Sequence, residues 1–100
     1  MLLRLEGHTI DLSYDARDAL QRVHALRPDV MLLDIGLPHV NGYDIARTIR
    51  ASAQLRGVRL VALTGYGQAE DRQRARAAGF DDHLVKPVDP VALHRVLGAG

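Results

Sequence analysis

The stretch "VMLLDIGLP", Val30 to Pro38, decides the fold. Val30 to Leu33 and Ile35 are apolar, Asp34 interrupts them, and Gly36 and Pro38 follow at once. A continuous apolar run with a hard stop predicts a strand covered on both faces, as in a parallel sheet. An acid at the end of such a strand either caps the following turn or marks a candidate site, and both readings stay open for Asp34 taken alone.

Working outward, the pattern alternates between helix and strand. "DARDALQRVHALRP" places Ala16, Ala19, Leu20, Val23 and Leu26 on one helical face, and Pro28 ends it. "YDIARTIRAS" predicts a helix burying Ile45, Ala46 and Ile49. "VRLVALTG" is a second buried strand, and "DHLVKP" a third, short one. "AEDRQRARAAG" is an Ala-rich helix with Gly79 just past its end. "DPVALHRVLG" opens with Asp89 as N-cap and Pro90 at the first helical position. Near the N-terminus, "HTIDLSY" alternates polar and apolar residues, which predicts a strand exposed on one face. "MLLRLEG" before it reads as the last turns of a helix closed by Gly7. Strands and helices at this spacing predict an α/β domain with a parallel sheet.

Composition agrees with one small domain. Of 100 residues, 47% are hydrophobic and 25% charged, and the net charge is +1. That balance gives no electrostatic case for nucleic acid or anionic lipid. The absence of cysteine rules out disulfides and cysteine metal sites. No apolar run approaches the roughly 18 residues of a membrane span. The segment "MLLRLEGH" is too short and too charged for a signal peptide. A cytoplasmic location is expected, as is a single domain over residues 1–100 with no output domain.

In open parallel sheets, sites form beyond the carboxyl ends of the strands. Three strands here end in reactive residues: Asp34, Thr64 followed by Gly65, and Lys86 followed by Pro87. A carboxylate, a hydroxyl and an ammonium on one rim suit a phosphoryl group. The carboxylate can act as nucleophile toward phosphorus. The ammonium and the hydroxyl can stabilise the phosphoryl oxygens. Gly65 leaves space for a bulky group in that pocket.

These motifs resemble the receiver domains of two-component response regulators and hybrid histidine kinases, the CheY-like family. Asp34 with "GLPHVNG" resembles the phosphoacceptor and its loop, with Pro38 and Gly42 in the usual places. Thr64 and Lys86-Pro87 follow at the family's spacing, and "AAGFDDHLVKPVDP" resembles its closing segment. The resemblance implies a doubly wound, flavodoxin-like fold of strand order 2-1-3-4-5. It implies phosphorelay signalling, with Asp34 accepting a phosphoryl group from the phosphohistidine of a sensor histidine kinase or phosphotransfer protein. Thr64 and Lys86 would bind the phosphoryl oxygens and drive a conformational switch. Mg²⁺ would be held by the Asp34 carboxylate and the Gly36 backbone carbonyl. The chemistry would not exceed self-phosphorylation and self-dephosphorylation at Asp34. Gly36 and Tyr66 hold positions that tune dephosphorylation in the family, and His83 stands where it has a switch aromatic.

The resemblance also implies a gap. The family begins with a central strand ending in an acidic pair, and counting back from Asp34 puts that pair upstream of Met1. The first strand and part of helix 1 are therefore expected to be absent from this chain. "HTIDLSY" and "DVMLL" would lose their common neighbour, leaving backbone groups unpaired. A partner copy supplying the strand, in a dimer, would compensate. No substitute for the pair is evident: Asp11 and Asp15 read as caps of the next helix, and Asp81 and Asp82 precede the last strand at the opposite rim. Mg²⁺ binding is expected to be weak or lost. The alternative reading is a phosphorylation-incompetent, receiver-like binding module. An aspartate-nucleophile phosphatase is disfavoured, because Gly36 stands where its general acid would be. His8, His24, His39, His83 and His94 show no metal-ligand spacing. Arg72, Arg74 and Arg76 read as a solvated helix face.

Overall fold

The run Val30–Asp34 forms β3, buried at every position, at the centre of a five-stranded sheet. A computed structural model describes residues 2–5, 7–13, 16–35, 42–65, 69–86 and 89–98. In chain order the elements are β1 (Leu2–Leu5), β2 (His8–Ser13), α1 (Ala16–Leu26), β3, α2 (Gly42–Ala51), a 3-10 turn (Ala53–Leu55), β4 (Arg59–Thr64), α3 (Ala69–Ala78), β5 (Asp82–Val85) and α4 (Pro90–Gly98). The sheet order is β1-β2-β3-β4-β5, and β2 to β5 run parallel.

Successive strand residues face opposite sides. Met31, Leu33, Leu60 and Ala62 pack with Ala19 and Val23 of α1, Ala46 and Ile49 of α2, and Ala75 and Ala78 of α3. Val30, Leu32, Val61 and Leu63 pack on the other side with Val96 and Leu97 of α4. Helices on both faces make this a flavodoxin-like, doubly wound sheet, and they explain the unbroken apolar character of β3 and β4. Asp89 caps α4 as expected, its Oδ1 accepting from Val91 N at 2.9 Å.

The N-terminal segment departs from its expected helix. Leu2–Leu5 is a strand, antiparallel to β2, with Leu5 opposite His8 and the chain reversing through Gly7 at φ 81°. A few helical turns cost more to nucleate than they return. The outer edge of β2 offers a full set of backbone partners instead. Gly7 suits either role, since both a helix C-cap and a tight reversal need positive φ.

The backbone groups expected to be left unpaired by the loss of a common neighbour are paired instead. β2 and β3 pair directly, with Ile10 opposite Val30, Asp11 opposite Met31, Leu12 opposite Leu32 and Ser13 opposite Leu33. Hydrogen bonding along the seam is thus met within the chain, and β2 has a strand on each side.

β2 also lacks its expected exposed face. Asp11 is 0% exposed, turned under α1, and is not a cap. Arg22 of α1 grips it through Nε, at 3.2 Å from Oδ1 and 2.9 Å from Oδ2, and through Nη2 at 2.6 Å from Oδ1. Asp15, the other expected cap, lies outside the described residues. Burial, the largest single influence, would raise the Asp11 pKa, but the lowering interactions, led by the Arg22 hydrogen bonds and charge, together outweigh it, and the carboxyl sits below its ordinary value. A depressed folded-state pKa contributes stability above the unfolded value and loses it as pH falls through the folded one. Acidification from about pH 7 to about pH 3 should therefore lower the urea midpoint of the wild type more than that of Asp11→Asn. An equal drop in both proteins would remove this pair from the acid response.

Candidate functional site

Three strand ends build the rim. Asp34 closes β3, Thr64 closes β4, and Lys86 follows β5 directly. The register fixes their order: Asp34 lies opposite Leu63, and Thr64 opposite Val85. Beyond the ladders, Ile35 N donates to Leu63 O at 3.0 Å and Lys86 N to Thr64 O at 2.8 Å. These two bonds carry the sheet's pairing one residue further at its carboxyl edge and hold the rim residues in line.

From β5 the Lys86 side chain crosses the end of β4 and its Nζ donates to Asp34 Oδ2 on β3. Asp34 is 2% exposed and Lys86 38%, so the pair has a dry carboxylate and a half-wet ammonium. Thr64 is buried beside it, at the end of the intervening strand. The Lys86 cation is already placed where negative charge would arrive. Gly65 is exposed, and a Cβ there would have nothing within 4 Å among the described residues.

The loop expected to follow Asp34 is only partly in view. Gly36, Pro38 and His39 lie outside the described residues, as do Tyr66 and Pro87. Gly42 begins α2 and is buried against Ile35. A Cβ at Gly42 would stand 2.6 Å from Ile35 Cγ2 and 3.3 Å from Ile35 Cα. Gly42→Ala should cost about 1–3 kcal/mol by overpacking, partly offset by helix propensity. The strain falls on the backbone next to Asp34, so any chemistry at Asp34 should slow as well. Urea denaturation and a rate at Asp34 read the two effects; an unchanged midpoint would show that Ile35 yields without cost.

Among the described residues no group of three or more His, Asp or Glu side chains gathers to hold a metal. Asp11 is tied to Arg22 under α1. Asp81 precedes β5 and Asp82 opens it, at the far rim: Asp81 Oδ2 accepts from Leu60 N at 2.9 Å at the start of β4. No helix among the described residues is long and apolar enough to cross a membrane.

His83, at the expected switch position, pairs with Ala62 and is half-buried. Its pKa is lowered, first by burial and then by Arg72, with Arg95 and Arg76 adding and Asp82 opposing. Arg74 stands over the Tyr43 ring at 4.7 Å, and Tyr43 meets Phe80 edge-on at 6.4 Å. The sequence reading missed this Arg74–Tyr43–Phe80 stack joining α2 to the α3–β5 turn. Each residue alone reads as ordinary surface or core.

The response regulator receiver domain family matches residues 1–98. This chain belongs to that family. The receiver is 39% identical over 93 residues to the DNA-binding response regulator MtrA of Mycobacterium tuberculosis, covering 93% of this chain and 40% of MtrA. The chain therefore spans well under half the length of that relative. Among solved structures, the chemotaxis response regulator CheY4 of Vibrio cholerae aligns with TM-score 0.75 and 29% identity, over 87% of this chain and 72% of CheY4. The receiver domain of the Saccharomyces cerevisiae response regulator Ssk1, solved with the histidine phosphotransfer signaling protein Ypd1, aligns with TM-score 0.71 and 26% identity. That match covers 82% of this chain and 63% of the Ssk1 chain. Membership places the receiver in two-component signalling.

Proposed function

We propose that this receiver, a single domain over residues 1–100, takes a phosphoryl group onto Asp34 from the phosphohistidine of a histidine kinase or phosphotransfer protein. The observation that carries the reading is the buried Asp34 carboxylate paired with Lys86, beside Thr64. An Asp34 carboxylate oxygen attacks phosphorus and the P–N bond to the donor imidazole breaks. The electron pair returns to the imidazole nitrogen, which takes a proton from solvent. The product is an acyl phosphate, whose added negative charge meets the Lys86 ammonium, with the Thr64 hydroxyl as a further donor. Gly65 leaves room for the group above β4. The likeness to Ssk1, crystallised with a phosphotransfer protein, supports a phosphohistidine donor.

Mg²⁺ takes near-octahedral oxygen ligands, including one or two carboxylates. The described residues do not by themselves make up such a site. In this reading Asp34 and the Gly36 carbonyl are the candidate ligands of weakly held Mg²⁺, which would neutralise phosphoryl charge. The reading places the chain in the cytoplasm, where such kinases present phosphohistidine.

Incubation with acetyl phosphate, with and without Mg²⁺, tests the proposal by phosphorus NMR and phosphate-affinity gel shift. One acyl phosphate, lost on alkaline treatment, is expected. No label from acetyl phosphate, nor from a phosphorylated kinase domain, would overturn it in favour of a phosphorylation-incompetent docking module. That second reading draws on the lack of a gathered metal site among the described residues.

A further inference from the structure

A cavity away from Asp34 lies between α3 and the start of β5, with a volume of about 380 Å³. Arg72 and Arg76 of α3 line it with Asp81, Asp82 and His83, over a floor formed by the buried Ala75 and Phe80. We infer that this cavity binds a small organic phosphomonoester, with the Arg72 and Arg76 guanidiniums on the phosphate and Phe80 and Ala75 beneath the organic body.

The charges carry the argument. Arg72 and Arg76 are four residues apart, so they share a helix face, and like charges at that spacing repel. Among the described residues neither has a carboxylate partner. Of the two acids in the lining, only one is paired with an arginine among the described residues. Asp81 is bound by Arg50, and Asp82 Oδ1 accepts from His83 N at 2.8 Å. What remains is a surplus of positive charge facing one concavity, to which Arg95 of α4 adds at His83. Guanidiniums match phosphate oxygens two at a time, and an anion between these two would also relieve their repulsion. The size falls within the range of small-molecule pockets, and the apolar floor favours a ligand with an organic body over a bare ion.

The site asks nothing of Asp34, and the test keeps the two apart. Phenyl phosphate would be titrated into the Asp34→Asn protein without Mg²⁺, followed by NMR of the His83 and Phe80 ring protons. Saturable shifts of both are expected. The pKa of His83, which faces Arg72, Arg76, Arg95 and Asp82, should rise when the dianion is bound. Replacing Arg72 and Arg76 by alanine, on an exposed face, should weaken binding by at least about tenfold per guanidinium. Phenol and inorganic phosphate should each bind more weakly than phenyl phosphate. Shifts that do not saturate, that persist in the double variant, or that map only to Thr64 and Lys86 would overturn the inference. Inorganic phosphate binding as tightly as phenyl phosphate would overturn the assignment to an organic anion.

Discussion

Asp34→Asn should abolish phosphoryl labelling, while Lys86→Ala should slow it by about 10²–10³-fold. The amide oxygen of asparagine is too weak a nucleophile to displace a phosphoramidate, so the first loss is complete. Lys86 acts on charge rather than on bond formation, so its loss raises the barrier without removing the reaction. The two variants should also part in stability. Lys86→Ala removes the cation from beside a carboxylate that is 2% exposed. Breaking a fully buried pair costs 3–5 kcal/mol, and with Lys86 half in water about 2 kcal/mol is expected. Asp34→Asn leaves an ammonium that can turn to solvent, so its urea midpoint should stay at or above that of the wild type. Gel-shift rates and denaturation midpoints, read together, check the assignment. Normal labelling of Lys86→Ala would remove Lys86 from the phosphoryl site, and labelling of Asp34→Asn would place the acceptor elsewhere.

The rim was legible because its signals are local. Asp34, Thr64 and Lys86 each end an apolar run, and a strand end in a parallel sheet is where chemistry collects. The same locality explains the misses. "MLLRLEG" has helix formers and a terminal glycine, but whether Gly7 closes a helix or turns a hairpin depends on the edge of β2, which the segment does not encode. Asp11 sits at a polar position of an alternating strand, which predicts an outward or capping role. Its partner Arg22 is eleven residues on, with no pattern tying the two. Direct β2–β3 pairing was likewise invisible, because strand order is a property of the whole sheet. Long-range polar contacts leave no period in a sequence, and those are what sequence reading passed over.

Arg50→Ala, at the opposite rim from Asp34, should be the most destabilising single change among those considered. Arg50 leaves α2 and spreads its guanidinium over two other segments. Nε donates to Gly79 O at 2.8 Å and Nη1 to Val58 O at 2.8 Å. Nη2 pairs with Asp81, whose carboxylate also takes Leu60 N at 2.9 Å. One side chain thus ties the end of α2 to the start of β4 and to the α3–β5 turn. Gly79 is part of the device: it stands at φ 112°, and a Cβ there would lie 2.5 Å from Arg50 Cγ. Alanine at position 50 leaves two carbonyls and a carboxylate short of their donors. About 3 kcal/mol is expected, from the net worth of charge-assisted hydrogen bonds and the penalty for groups left unpaired. For a domain of this size that is a fall in Tm of about 12–24 °C. Lysine should recover less than half of it, since an ammonium cannot fork between Gly79 O and Val58 O while holding Asp81. Because the clamp lies at the far rim, labelling at Asp34 should keep its wild-type rate at a temperature where the variant is folded. A slowed rate there would mean that the two rims communicate through β4, and an unchanged Tm would mean that water replaces the guanidinium at little cost.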